Sequence, residues 1–392
     1  MRLTNIKLWD GVSEALSEFH SIEIKDGKIT SIGNEEKFDA SSQASSSQDM
    51  AGLYVIPGLI DAHVHMCLDP EAKDPLAHVK VGREKQLDLM AKRAVKMLDA
   101  GITTARDLGG GKWEELNLRN KINAGELSGV RLLCSGQPVT SVKGHCHFWG
   151  GEAANLEEAA KVIERQISRG VDLIKIMATG GNITPGSKPI DAQFDSETMA
   201  AMVKIAHEHK LLVAAHCHGT AGIKNASFAG VNTIEHCSWV GSDGWGKNLN
   251  EEVLSEIVGK GIWISPTINS GWRKFMGSQS FETLIQGNYQ KMRKAGVKLI
   301  ASTDAGIPNV RHEDLPKALP IFAHFAELSP VEVLRTATSD CAEALGLGRQ
   351  RGRLSPGYDA DLVCYENNPL QDLSALENPI AVMAKGKWHR LV

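Results

Sequence analysis

The sequence predicts an α/β protein: a (β/α)8 (TIM) barrel over residues 56–351, flanked by a small β domain built from both chain ends, residues 1–55 and 352–392. Three observations predict it. Apolar strand-like cores recur eight times through the middle of the chain, and helical patterns fall between most of them. Both ends read instead as short alternating strands. The reactive side chains of the middle collect where its strands end, which is the rim at which such a barrel gathers its active site. At 392 residues the chain exceeds one ordinary domain, and a barrel with a small companion fits that length.

Taken in order, IKLWDG, HSIEIKDG and KITSIG alternate in the β manner and are punctuated by Asp-Gly turns. A Ser-rich patch, DASSQASSSQ at 39–48, reads as an exposed loop. The stretch LYVIPGLIDAHVHM at 53–66 enters as an apolar run, kinks at Pro57-Gly58 and continues as a buried strand into Asp61-Ala62-His63-Val64-His65. The other strand cores are ITTARDLG (102–109), VRLLCSG (130–136), VDLIKIM (171–177), LLVAAHC (211–217), NTIEHC (232–237), IWISPTI (262–268) and KLIASTD (298–304). Helical periodicity marks EKQLDLMAKRAVKMLDAG, LEEAAKVIERQISRG, SETMAAMVKIAHEHK and NLNEEVLSEIVGKG, and several of these helices end in the glycine typical of a C-cap. After Gly352, RLSPGYDADLVCYE and IAVMAKGKWH return to strand character.

Composition excludes several classes of function. Hydrophobic residues make up 42% and charged residues 23%, as in a soluble globular chain. A net charge of −4 without a basic block argues against a nucleic-acid partner. The opening MRLTNIKLWDGVSEALSE lacks the pattern of a signal peptide, and no apolar run reaches the length of a membrane span. Seven cysteines without paired spacing suit a reducing compartment. These features predict a cytoplasmic protein with neither nucleic acid nor membrane as partner; they leave open a small-molecule substrate and a homo-oligomeric assembly.

Strand parity places His63 and His65 on one face, with Asp61 a step deeper. Two imidazoles side by side at the end of a buried strand form half of a metal site; the plainer alternative is a pair of satisfied core histidines. Lys175 lies near the end of strand four, His216 and His218 end strand five, His236 ends strand six and Asp304 ends strand eight. All fall at one rim. Lys175 alternatively reads as a surface lysine or half of a buried ion pair, and Asp304 as a helix cap. His216 and His218 share a face, so either can be a ligand. Cys217 should face the helices as core, and Cys67 lies past its strand, with little prospect of binding metal. His145 and His147 in GHCHFWG stand over the site or are ordinary loop residues, and Arg106 holds an anionic group or a structural partner. Trp149, Trp239 and Trp272 wall a pocket or pack loops, and His207, His209, His312 and His389 read as helix or surface residues.

The segments PGLIDAHVH, VDLIKIMATGG, VAAHCHG, TIEHCSW and STDAG, with the closing GRLSPGYDADLV, resemble the amidohydrolase superfamily and specifically its binuclear members. TTARDLGG (103–110) and IKIMATGG resemble the branch holding imidazolonepropionases, Xaa-Pro dipeptidases and related peptide or N-acyl amino acid hydrolases. The resemblance implies that the terminal strands form a β-sandwich and that the barrel binds two divalent ions, most often zinc. It implies His63, His65 and Asp304 as ligands of the more buried ion and His216 and His236 as ligands of the other, with Lys175 bridging both as a carbamate formed with CO2. That is chemically coherent, because an ammonium cannot coordinate a metal whereas a carbamate is a bridging anion. His218 is then left for substrate contact. Asp304 would take the proton of a metal-bridging hydroxide or water and pass it to the leaving group, assisted by His145 and His218.

The implied function is cleavage of an amide C–N bond in an Xaa-Pro-like dipeptide or an N-acyl amino acid. Arg106, His145, His147 and His218, with Arg273 as a further candidate, would serve as substrate contacts. Alternatives within this fold are an imidazolonepropionase-like cyclic amide hydrolase or a hydrolase of ureas, carbamates, lactones or phosphotriesters. A mononuclear deaminase or cyclic-imide hydrolase fits less well, because those usually lack the strand-four lysine, and deaminases place a glutamate where this chain reads CHGTAG. A non-catalytic oligomeric scaffold typically loses metal ligands, whereas here the set is complete.

Overall fold

The computed structural model describes residues 1–34 and 46–391. Its centre consists of two parallel sheets. One orders Leu59–Val64, Ile102–Asp107 and Arg131–Cys134 side by side. The other orders Leu173–Met177, Leu212–Gly219, Thr233–Val240, Trp263–Ser265 and Lys298–Leu299. These are the eight expected strand cores. They are apolar runs rather than alternating ones because most are covered on both faces; Leu59–Val64, Ile102–Asp107 and Leu173–Met177 are buried at every residue.

The two sheets are joined at both margins. At one, Val139 bridges Ile176 in parallel, and the Met177 amide donates to the Val139 carbonyl at 2.8 Å. At the other, the Asp304 amide donates to the His63 carbonyl at 2.8 Å and the His65 amide to the Ala305 carbonyl at 2.8 Å.

Helices follow the strands, and their ends are set by local chemistry. Asn155, Asp195 and Asn250 cap the helices Leu156–Arg169, Ser196–Glu208 and Glu251–Gly259 by accepting from a backbone amide three residues on. In Leu156–Arg169 the buried positions are Ala159, Val162, Ile163 and Gln166, the stripe that a 3.6-residue period turns toward the strands. No helix among the described residues is long and apolar enough to cross a membrane.

Both chain ends contribute to two further sheets. One orders Lys28–Gly33, Ser21–Lys25, Arg2–Thr4 and Ser47–Asp49; the other orders Lys387–Arg390, Ala381–Ala384, Leu362–Tyr365, Tyr54–Pro57 and Lys7–Leu8. Leu3, Ile22, Val55, Leu362 and Met383 share one buried cluster between them. Two expectations change here. Tyr54–Pro57 pairs antiparallel with Leu362–Tyr365, so this sheet runs two residues past the boundary expected at 55. Ser47–Asp49 pairs with Arg2–Thr4, whose open edge it covers, so the end of the Ser-rich patch is strand rather than loop; its residues 39–45 lie outside the described residues. The kink between Pro57 and the strand Leu59–Val64 requires glycine, because a Cβ at Gly58 would come within 2.2 Å of the Thr103 hydroxyl.

Candidate active site

A cavity of about 410 Å3 opens where the parallel strands end. His63, His65, Lys175, His216, His236 and Asp304 all line it, as do His145 and His218. The strand order explains the gathering: residues far apart in sequence sit on the C-terminal ends of neighbouring parallel strands, so their side chains converge.

The imidazoles are oriented from outside. His63 Nδ1 lies 3.0 Å from Glu235 Oε2, His65 Nδ1 lies 3.0 Å from the Gly109 carbonyl, and His216 Nε2 lies 3.1 Å from the Gly180 carbonyl. Each of these partners can only accept, so each nitrogen donates and the opposite ring nitrogen keeps its lone pair. His236 Nδ1 pairs with Thr267 Oγ1 at 2.7 Å. The inward nitrogens then meet. His63 Nε2 and His65 Nε2 lie 3.3 Å apart, and they stand 3.3 and 3.4 Å from Asp304 Oδ1. His236 Nε2 faces His216 Nδ1 at 2.9 Å. Donor atoms of His63, His236 and Asp304 fall within 4.8 Å of one another, and so do those of His216, His218 and His236; either group could hold a metal ion. Burial pushes His63 and His218 down to about 4 and His145 to about 3, so these rings are neutral at physiological pH, the form that ligates. His236, Thr267 and Asp304 adopt left-handed backbone at φ 68°, 54° and 61°. Such conformations are costly for non-glycine residues and cluster at functional sites.

Lys175 sits among these groups, 1% exposed, with no hydrogen-bond partner for Nζ among the described residues. Burial draws it down to about 8. An amine with no acceptor in a buried strand is an unsatisfied polar group of the kind native proteins rarely leave.

Several expectations need correction. Arg106 does not reach the cavity. Its guanidinium is 2% exposed and donates to the Ala62 carbonyl at 2.6 Å, Thr233 Oγ1 at 3.0 Å and Glu235 Oε1 at 2.7 Å. It is the structural partner of Glu235, which in turn holds His63. His147 also misses the cavity: the left-handed Cys146, φ 57°, starts the turn His147–Trp149 and sends the two histidines apart. Trp239 is core beside the cavity rather than wall. Arg273 is exposed and off the cavity, whereas its neighbour Lys274 lines it. His312, expected on a helix or at the surface, is buried in a turn with Nε2 3.1 Å from the His65 carbonyl.

His145 stands with its ring 4.6 Å from that of His216 and its Nδ1 3.1 Å from Thr184 Oγ1. His218 stacks on His236 at 4.4 Å and pairs with Ser238 Oγ at 2.9 Å. Cys217 is core, its thiol directed at the Gly222 carbonyl.

Glu235 and Trp245, the latter 5.0 Å from His218, belong to the site and were missed in the sequence. For Glu235 a signal existed, since an acid inside a buried strand requires a partner. The pairing is open to test. Arg106→Met should lower the unfolding free energy by about 3 to 5 kcal/mol, because it strands the buried Glu235 charge. Urea denaturation measures this, and a loss below about 1 kcal/mol would show that the pair contributes no more than an ordinary hydrogen bond.

The model of the Amidohydrolase family matches residues 54–389. The chain is 27% identical over 403 residues to the ochratoxinase of Aspergillus niger, a match covering 94% of this chain and 82% of that one. It is 25% identical to the imidazolonepropionase of Bacillus velezensis, covering 88% of this chain and 82% of that one. Among solved structures it is similar to a Xaa-Pro dipeptidase with methionine bound in its active site, with a TM-score of 0.84, 27% identity and coverage of 99% and 98%.

Proposed function

The chain belongs to the amidohydrolase family and is a hydrolase acting on C–N bonds; from that premise we propose that it is a binuclear metal-dependent enzyme cleaving the amide bond of a short substrate, an Xaa-Pro-like dipeptide or an N-acyl amino acid. The observation that carries this is the orientation of the donors. His63, His65 and His216 each spend one nitrogen on an acceptor outside the site and aim the other inward, around the unpartnered Nζ of Lys175. We read the two parallel sheets, joined at both margins, as one closed (β/α)8 barrel, and the sheets shared by the chain ends as a composite β-sandwich.

The donor set fits two divalent ions. His63, His65 and Asp304 would hold one and His216 and His236 the other, with Lys175, carboxylated on Nζ by CO2, between them. A set of imidazole and carboxylate ligands suits zinc. When bound, such ions supply a Lewis acid and a water acidic enough to act as a nucleophile at neutral pH. The chain's own residues do the rest. Asp304 directs Oδ1 at His63 and His65, which leaves Oδ2 to take the proton of the attacking water and return it to the departing nitrogen. His145 and His218, both on the cavity wall, are placed to contact the substrate carbonyl. The names of the relatives support the substrate class, since ochratoxinase and Xaa-Pro dipeptidase stand among them. Similarity to imidazolonepropionase supports a cyclic amide as the second reading.

The test is metal analysis combined with a substrate panel. Reconstituted protein should bind about two divalent ions per chain and release free amino acid from dipeptides or N-acyl amino acids, and a chelator should abolish both. A protein that binds one ion or none, or that hydrolyses only ureas, carbamates, lactones or phosphotriesters, would overturn the reading.

A further inference from the structure

A substrate of the proposed class carries a free carboxylate, and Arg106, the arginine expected to meet it, is committed to Glu235. We propose that Lys274 is the residue that recognises this carboxylate, and that the preferred substrate is a short amide whose amino-acid part carries an apolar side chain. The inference rests on the hydrolase reading of the cavity and deepens it.

Among the described residues, only two cationic side chains line the cavity, Lys175 and Lys274, and Asp304 is its only acid. Lys175 is buried among the imidazoles and is not available to a substrate carboxylate in the proposed arrangement. Lys274 is exposed, and among the described residues no ion pair or hydrogen bond involves its ammonium; Nζ lies 4.9 Å from the centre of the Phe275 ring. A cation held over an aromatic face keeps its stem on the wall while its charge stays open to an anion.

The segment that carries Lys274 is braced. Lys274 lies in the turn Ser270–Phe275, where Asn269 caps the Gly271 amide at 3.0 Å and donates through Nδ2 to the Thr303 carbonyl at 3.1 Å, next to Asp304. Ser270 Oγ donates to Asp314 Oδ2 at 2.9 Å, and Trp272 packs on Phe325 at 5.4 Å. The lysine is thus tied through its own turn to the loop that presents Asp304. The walls near it add apolar surface from Trp272, Phe275 and Trp245. One open cation beside aromatic side chains, in the cavity that also holds His63, His65, His216, His236 and Asp304, matches an anionic group joined through a short spacer to an amide.

The test uses metal-loaded enzyme and two substrates that differ only in bearing a terminal carboxylate or the corresponding carboxamide. Wild type should prefer the carboxylate. In Lys274→Gln the KM for the carboxylate substrate should rise about tenfold more than that for the carboxamide, with kcat changing far less than KM. Lys274→Glu should reverse the preference. Equal effects on both substrates, or none on either, would overturn the assignment. Calorimetric binding of an N-acetyl amino acid to wild type and Lys274→Gln separates this inference from the reading beneath it. Binding that depends on Lys274 in a protein that hydrolyses no amide keeps the lysine and removes the hydrolase; hydrolysis of the carboxylate substrate that ignores Lys274 does the reverse.

Discussion

Lys175→Ala is expected to lose most of the bound metal and to reduce turnover roughly a thousandfold or more. Lys175 lies in the strand Leu173–Met177 with Nζ buried and, among the described residues, unpartnered, a placement that would be difficult to maintain if the amine had no other role. Removing the amine withdraws the group proposed to bridge the two halves of the donor set, so the histidines remain but lose their common anion. The same change should not weaken the metal-free protein much, because an unsatisfied polar atom leaves with the side chain. That combination separates a bridging role from a structural one. Metal content, turnover and urea denaturation are the measurements, and partial rescue of the variant by short carboxylic acids would support the bridge. A Lys175→Ala protein with full metal content and normal turnover would remove Lys175 from the centre.

Asp304→Asn should lower kcat by about a hundredfold to ten-thousandfold while the fold persists. The substitution keeps the shape of the side chain and an oxygen toward His63 and His65, but an amide cannot accept the proton of the attacking water. Asparagine is also the appropriate replacement for the backbone, since Asp304 sits at φ 61° and asparagine adopts the left-handed region more readily than most residues. Asp304→Ala would mix backbone strain with loss of the acid. The loop itself is held from below, where Asp61 accepts from the Thr303 amide at 3.1 Å and from the Thr303 hydroxyl at 2.6 Å. Single-turnover kinetics on metal-loaded protein is the check. More than a few per cent of wild-type turnover would assign the proton to another group.

Much of the architecture was legible because burial leaves a periodic mark. LIKIM and LIDAHV are largely apolar runs buried at every residue, as in a strand covered on both faces, and the polar residues within them stand out for that reason. Strand parity put His63 and His65 on one face, and the strand ends brought Lys175, His216, His236 and Asp304 to the same rim.

What parity cannot reveal is which side chain from another strand fills the space opposite. Arg106 and Glu235 lie 129 residues apart on strands of the two parallel sheets, and only the packing of those sheets brings them into an ion pair beneath His63. Turn geometry is similarly silent. His145 reaches the cavity and His147 does not because Cys146 is left-handed, and Lys274 rather than Arg273 lines the wall because of how one short turn is braced. The sequence by itself determined the strands, the rim and the metal-ligand candidates, since each depends on spacing along one element. Tertiary structure alone decided which polar groups are satisfied in the core and which face the cavity, because hydrogen bonds and charges are settled by neighbours in space, and those neighbours come from distant parts of the chain.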